Sequence, residues 1–586
     1  MDIFSILELL GGLALFLFGM DYMGDNLKKL SGGQLESILG KLTSNRLKGF
    51  LLGFLVTAVI QSSSATTVML VGFVNSGIMK LSQSIAIIMG ANVGTTVTAW
   101  LLSTTGISGD AWWLKLFKPD SFTPVLAMIG ILMTMACKTE KKKDIGAILL
   151  GFAILMFGME SMSDAMSGLK DNEQFANILV MFENPVLGIL CGTILTAIIQ
   201  SSSASVGILQ ALSLTGAIPM STALPIILGQ NIGTTITPIL SSISGNRESK
   251  QVAISCLYIK MIGVIIISIA FYVMHAVMDF AFMHDQASVF SIALVHTTFN
   301  IISTVILIPF CNLIEKLAIA TFKPKDENVD DNLRVLDDRF LSIPSFALEK
   351  SKEMLVEMIK IADESVNLIL DKLFSYNEKD ANTIKEQEKI VDVYEDKLGS
   401  YLVKLAGHKL AEEEANAVTT LLHIIGDVER ISDHACNLLD ASEEIYNKKI
   451  TFSQSAQEEI KNMSDAIREI MAISVKAVEN EDRNFAIKIE PLEQVIDKLK
   501  YRMKDNHISR LQQGDCTIEL GFVYSDIITN FERIADHCSN IGASVLQKDE
   551  IGLEIHDYLS HDKKEGANNF ISQYDEYKEK YYNVNK

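Results

Sequence analysis

Apolar residues dominate the first 322 positions, broken at intervals by short polar segments, and then give way to an amphipathic pattern of helical period. Long apolar runs near 4–23, 82–106, 121–137, 145–165, 222–243, 251–275 and 287–312 have about the 20 residues that a bilayer crossing needs. Two pairs of runs are too short to cross singly, 47–60 with 65–77 and 186–199 with 204–217. Each pair flanks a polar tip, Gln61-Ser62-Ser63-Ser64 or Gln200-Ser201-Ser202-Ser203. The pattern predicts seven crossings and two re-entrant hairpins. Non-helical backbone is tolerated at membrane depth only where protein buries it or a wet cavity meets it, so the two tips are candidate binding positions.

The apolar region repeats itself. GLALFLFGMD at 12–21 returns as GFAILMFGME at 151–160, the two tips return at the same offset of 139, and so do GANVGTT at 90–96 and GQNIGTT at 229–235. Three motifs in one register predict two structural repeats, about 5–137 and 145–312. The loop after the first span carries Lys28, Lys29, Lys41, Arg46 and Lys48, whereas its counterpart carries Lys170 among Asp171, Glu173 and Glu183. By the positive-inside rule the first loop is cytoplasmic and the second external, so the repeats are inverted and one hairpin enters from each side. Lys138, Lys141, Lys142 and Lys143, then Arg247 and Lys250, then Lys323 and Lys325 mark later cytoplasmic ends. No small-residue cleavage pattern precedes the first span, which is expected to stay.

Charge divides the chain. Of 51 basic and 71 acidic residues, 17 and 18 fall before position 323, leaving 34 and 53 beyond it, a net of −19. The expected organisation is a membrane domain over 1–322, a polar linker over 323–339, a helical domain over 340–548 and a charged tail over 549–586. Seven cysteines without framework spacing argue against disulfides and for an acidic part facing a reducing cytoplasm. No nucleic-acid partner is expected.

No Lys, Arg, Asp or Glu occurs over 49–79 or 184–246, so the site is expected to work without formal protein charge. It offers hydroxyls (Ser62, Ser63, Ser64, Thr66, Ser201, Ser202, Ser203, Ser205) and amides (Gln61, Gln200, Asn92, Asn231). The arm after each tip begins a helix whose first N–H groups are unpaired and whose dipole is positive, which suits a small oxyanion. Carbonyls ending the arm before each tip, with Gln, Ser and Thr oxygens, suit Na⁺. An anion without a fixed positive partner is costly at low dielectric, and a co-bound cation relieves that cost. The segments 90–98 and 229–237 read as a second helix break in each half, glycines permitting an unwound turn. The competing reading is that Ser, Thr and Gly serve close packing or bond their own backbone.

The two QSSS elements, each followed by G-x-N-[VI]-G-T-T, resemble the type II sodium/phosphate cotransporter family over residues 1 to about 320. The resemblance implies Na⁺-driven uptake of inorganic phosphate across the plasma membrane, with Gln61, Ser62, Ser63, Ser64, Gln200, Ser201, Ser202 and Ser203 at the phosphate. Asn92, Thr95, Asn231 and Thr234 carry over with it; Gln61, Thr66, Thr96, Gln200, Ser205 and Thr235 join them as expected Na⁺ ligands on their oxygen chemistry.

The acidic region is duplicated as well. DVERISDHACN at 427–437 pairs with NFERIADHCSN at 530–540, an offset of 103. Two three-helix bundles are the natural architecture, so the whole chain is expected to be all-α. Glu429 with Asp433, and Glu532 with Asp536, lie four residues apart on one helix face, where they suit a divalent or ferric metal. Asp392, Asp396, Glu493 and Asp497 lie on earlier acidic helices. The alternative is a solvated face with Arg430 and Arg533 paired to the acids, His434 and His537 being surface or capped residues. The pattern resembles the PhoU phosphate-signalling family over roughly 340–548, which implies E-x-x-x-D metal clusters and cytoplasmic regulatory partners. Competing functions are a membrane-anchored sensor or scaffold, export in place of uptake, or another small oxyanion. No Walker lysine loop and no activated nucleophile points to an enzyme.

Overall fold

A computed structural model describes residues 3–31, 45–106, 119–167, 181–243, 245–323, 335–408, 410–514, 516–547 and 567–583. Lys41, Lys170, Asp171, Glu173 and Lys325, used above to orient the repeats, lie outside them, as does most of the 323–339 linker. The chain forms two compact units, Met1–Ile343 and Pro344–Lys586. Every regular element among the described residues is helical.

The first unit opens with α1 (Ile3–Ser31), the hairpin α2 (Arg46–Ile60) and α3 (Ser63–Asn75), the interrupted pair α4 (Leu81–Gly94) and α5 (Thr96–Ser103), and α6 (Pro119–Ala136). The second half repeats the order as α7 (Glu140–Met166), α8 (Pro185–Ile199), α9 (Ser202–Leu214), α10 (Met220–Gly233), α11 (Ile236–Ser242) and α12 (Arg247–Met278). It then adds α13 (Val289–Leu307) and α14 (Cys311–Thr321). Six stretches are long and apolar enough to cross a membrane: 4–30, 81–106, 140–166, 220–242, 247–278 and 289–321. The seventh expected crossing is α6, 18 residues and so about 27 Å long at 1.5 Å per residue. The hairpin arms, 13 to 15 residues each, reach only about 20 to 22 Å against a hydrocarbon core of about 30 Å. Large apolar side chains such as Val186, Ile198, Val277 and Met135 point outward and exposed, as a lipid-facing surface requires.

Glycine explains how the repeats pack. A Cβ on Gly19 would fall 2.3 Å from Leu155 N, and one on Gly158 2.3 Å from Phe16 N, so the duplicated GLALFLFGMD and GFAILMFGME motifs lie against each other as α1 on α7. The same device seats each first hairpin arm on its neighbour. A Cβ on Gly90 would meet Phe50 O at 1.9 Å and one on Gly229 would meet Ile189 O at 1.9 Å. The second break expected in each half is present, at Thr95 and at Thr234–Thr235, but as a right-handed turn and not an unwound one. Thr95 (φ −58°, ψ −28°) and Thr234 (φ −59°, ψ −20°) stay right-handed helical, so the glycines of both motifs serve close approach of helices.

Residues 335–343 belong to the first unit, not to the linker or bundle in which the pattern put them. Phe340 is fully buried against Phe73 of α3, ring centroids 5.3 Å apart, and Asn75 Nδ2 donates to Asp337 Oδ2 at 2.7 Å.

The second unit is two three-helix bundles, α15 (Pro344–Lys372), α16 (Glu378–Ala406) and α17 (Glu412–Lys448), then α18 (Gln454–Asn480), α19 (Ile489–Gln513) and α20 (Ile518–Gln547). They meet through α17 and α20. A further helix, α21 (Ala567–Tyr577), packs on α19, with Lys498 over the Tyr574 ring at 4.7 Å and Arg502 over Tyr582 at 4.3 Å. The end of the expected tail is therefore an ordered part of the bundle, held by the tyrosines whose number marked it in the sequence.

Candidate functional site

Both tips have one geometry. α2 ends at Gln61 (φ 60°) and α8 at Gln200 (φ 59°), each left-handed, and the next residue caps the following helix. Ser62 Oγ accepts from Ala65 N, and Ser201 Oγ from Ala204 N, each at 3.2 Å. The serines sit at the tips because a Ser oxygen satisfies one of the orphan donors of a helix start. Ser62 and Ser201 are thus partly committed as caps. The Ser63 and Ser202 hydroxyls make no hydrogen bond among the described residues, and Ser202 is buried.

The tips meet. Ser64 Oγ lies 3.5 Å from the Gln200 carbonyl, and Ser203 Oγ lies 3.5 Å from Thr98 Oγ1, which itself donates to Gln61 Oε1 at 2.7 Å. Thr237, the repeat partner of Thr98, reaches the Gln200 carbonyl at 3.5 Å. Two helix N-termini, eight serine and threonine hydroxyls and the Gln61 amide are thereby gathered in one place. Within each hairpin a buried hydroxyl pair ties the arms: Thr57 Oγ1 to Thr66 Oγ1 at 3.1 Å, and Thr196 Oγ1 to Ser205 Oγ at 2.8 Å.

Other expected ligands are spent locally. Thr95, Thr96, Thr234 and Thr235 each donate to a carbonyl three or four residues back, at 2.6 to 3.0 Å. Asn92 and Asn231 are both buried, and only Asn231 has side-chain partners. One of these overturns an expectation. Lys260 of α12, 6% exposed, donates to Asn231 Oδ1 at 2.9 Å and to Asn300 Oδ1 at 3.3 Å, so the region does hold a formal charge. The charge lies on a crossing helix, not on the hairpin arms, which carry none over 49–79 and 184–246. A single Lys inside an otherwise apolar crossing was the available signal. Thr57 and Thr196 were also missed, although the duplicated segment runs as T-A-[VI]-I-Q-S-S-S in both halves.

In the bundles the two E-R-x-x-D motifs part ways. Glu388, Asp392 and Asp433 bring carboxylate oxygens within 4.8 Å of one another. Burial and then the neighbouring Asp392 and Asp433 raise Glu388 above the usual carboxylate range; burial and then Asp433 do the same to Glu429. Three facing carboxylates with these neighbours fit a hard cation. The second motif does not: Glu532 is ion-paired to Lys500, and Asp536 lies 3.5 Å from Arg533. His434 and His537 stack between α17 and α20, centroids 5.6 Å apart, bonded to Asn530 and Asp427 respectively at 2.9 Å. They are bundle contacts, and neither is among the clustered carboxylates.

Residues 15–164 and 154–297 match the Na⁺/Pi-cotransporter family, and residues 355–441 and 460–545 each match the PhoU domain. The chain belongs to the Na⁺/Pi-cotransporter family. It carries a pair of PhoU domains beyond the membrane helices. A relative in Salmonella typhimurium, described as a candidate inorganic phosphate export protein, YjbB, is 23% identical over 94% of this chain and 100% of its own length. The sodium-dependent phosphate transport protein 2A of Rattus norvegicus is 27% identical over 30% of this chain and 28% of its own. A PhoU homolog 1 of Thermotoga maritima, a phosphate-specific transport system accessory protein, is 24% identical over 35% of this chain and 87% of its own. No solved structure matches the chain.

Proposed function

We propose that this protein is a secondary transporter coupling Na⁺ to inorganic phosphate, carried inward by the Na⁺ gradient, with the PhoU domains on the cytoplasmic side as regulators. The observation that carries the reading is the meeting of the two QSSS tips through Ser64 and Gln200. A tetrahedral oxyanion is held there by the free N–H groups of two helix starts and by the Ser63 and Ser202 hydroxyls. The hydroxyl pair Thr57–Thr66, with Asn92, supplies oxygen for Na⁺ in the first half. A membrane-anchored sensor would need neither tip. Export is the second reading, favoured by the name of the relative that covers nearly the whole chain. Labelled phosphate flux in proteoliposomes, with a Na⁺ gradient imposed in either direction, tests both. Flux indifferent to Na⁺ rejects the coupling, and flux only outward against the expected orientation selects export. That orientation is checked by impermeant thiol labelling at positions 44 and 172, expected from opposite sides.

In the PhoU domains, Glu388, Asp392 and Asp433, with Glu429 beside them, would hold a divalent or ferric cation. That cation, or a protein partner, would bias two arrangements of the bundles, and a regulatory effect on transport must appear as a difference in affinity between them.

A further inference from the structure

Lys260 stands in the middle of α12 and is buried, and its side-chain partners are neutral. α3, α4, α10 and α11 contain no titratable side chain; α13 contributes His296, and α14 Cys311, Glu315 and Lys316. An ammonium without a carboxylate partner is expensive inside a membrane and by default has a task there. Its two partners are both amide oxygens, and their orientation is fixed independently. Asn231 Nδ2 donates to Ile227 O at 3.0 Å and Asn300 Nδ2 to His296 O at 2.8 Å, which turns both Oδ1 atoms toward the ammonium. His296, one turn before Asn300, is buried with Nδ1 unpartnered among the described residues. This is a cation site made of neutral oxygens, and its cation is covalently attached.

The first half has the same Asn and no such cation. Asn92 is buried and makes no side-chain hydrogen bond, to a lysine or to any other group, among the described residues. We propose that the Lys260 ammonium occupies the second-half cation position permanently, so that free Na⁺ binds the first half and the second half contributes a fixed charge to the anion site. The inference rests on the reading of the protein as a Na⁺/phosphate transporter. It adds that the cation stoichiometry is asymmetric, lower than two equivalent repeats would give.

The test is the number of Na⁺ bound by the purified full-length protein, from equilibrium binding of radioactive Na⁺, paired with the Na⁺ dependence of phosphate flux in proteoliposomes. Lys260→Ala should bind one more Na⁺ per chain than wild type, and the Hill slope of its flux against Na⁺ should rise by about one. Asn300→Ala should leave the wild-type Na⁺ count unchanged, since no free ion uses that oxygen. An unchanged count in a monodisperse Lys260→Ala protein overturns the proposal, and so does loss of a Na⁺ from Asn300→Ala, which serves alone if Lys260→Ala does not fold. Absence of Na⁺ binding and of Na⁺-dependent flux in wild type would instead reject the transporter reading itself.

Discussion

In the first half of the membrane unit Asn92 lies buried without a side-chain partner among the described residues; in the second, Asn231, at the same place in the repeat, accepts from Lys260. The bundles show the same divergence. One E-R-x-x-D motif faces two further carboxylates, and the other closes on Lys500. In both units the duplicated backbone is kept, and a lysine has entered one copy of a position that suits a cation. A repeated motif therefore reports repeated geometry, while the charge at each copy is decided by a residue on another helix, outside the motif.

The strongest challenge to this comparison is at the tips, where the halves are still alike. Ser63 and Ser202 are repeat partners with free hydroxyls. A hydrogen bond to a charged group is worth about 1.5–3 kcal/mol, so Ser63→Ala with Ser202→Ala should weaken phosphate binding at least about 100-fold. The single variants should lie within about threefold of each other. Equilibrium phosphate binding measures all three, and a double variant within about twofold of wild type removes these hydroxyls from the site.

In the bundles the halves should behave unequally. Asp433→Asn should lower the affinity of the full-length protein for Mn²⁺ at least about tenfold, whereas Asp536→Asn should leave it unchanged, by calorimetric titration. Acid should compete with the metal, because the Glu388 and Glu429 carboxyls hold protons above their usual range. The sign for stability is opposite. A carboxyl raised in the folded state takes up its proton first, so these two groups favour the metal-free fold as pH falls from neutral through their folded pKa values. Glu388→Gln should remove part of that gain from the acid shift of Tm.

A smaller effect concerns the left-handed glutamines. A non-glycine residue in that conformation costs about 1–2 kcal/mol, so Gln61→Gly and Gln200→Gly should each raise thermal stability in detergent by up to a few degrees while lowering flux. Gln61→Gly should lose more flux, because only Gln61 holds Thr98 through its side chain. Stability that falls in both variants would mean the backbone is not strained there.

Much of this was legible in sequence because period and repeat are backbone properties. The 139 and 103 offsets gave the paired hairpins and the paired bundles, and the short apolar arms gave the breaks at Gln61 and Gln200. What resisted reading was the identity of partners across helices. Nothing in G-Q-N-I-G-T-T says that Asn231 faces a lysine 29 positions on, or that Glu532 faces Lys500. Local competition also hides the roles of these segments: the threonines of both G-T-T segments satisfy themselves on their own helix carbonyls, and the glycines beside them answer to Phe50 and Ile189 on the facing arms.

The smallest expected effect distinguishes the two units themselves. The PhoU bundles are proposed as regulators, and they carry the acidic surplus of the chain, which opposes phosphate approach and argues against a place in its path. Removing them must nevertheless respect the segment that precedes them. Phe340 fills a slot over Gly72 and Phe73 of α3, where a Cβ on Gly72 would fall 2.8 Å from the ring, and α3 is the second arm of the first hairpin. Emptying a buried Phe site costs about 3–5 kcal/mol, so a chain ended after Lys323 should be destabilised at that hairpin for reasons unrelated to regulation. A chain ended after Ile343 keeps the slot filled and should carry phosphate with a rate or affinity within severalfold of the full protein. Flux assays of both truncations, with insertion checked, separate the two causes. If the chain ended after Ile343 inserts and folds yet moves no phosphate, the bundles are part of the transport cycle.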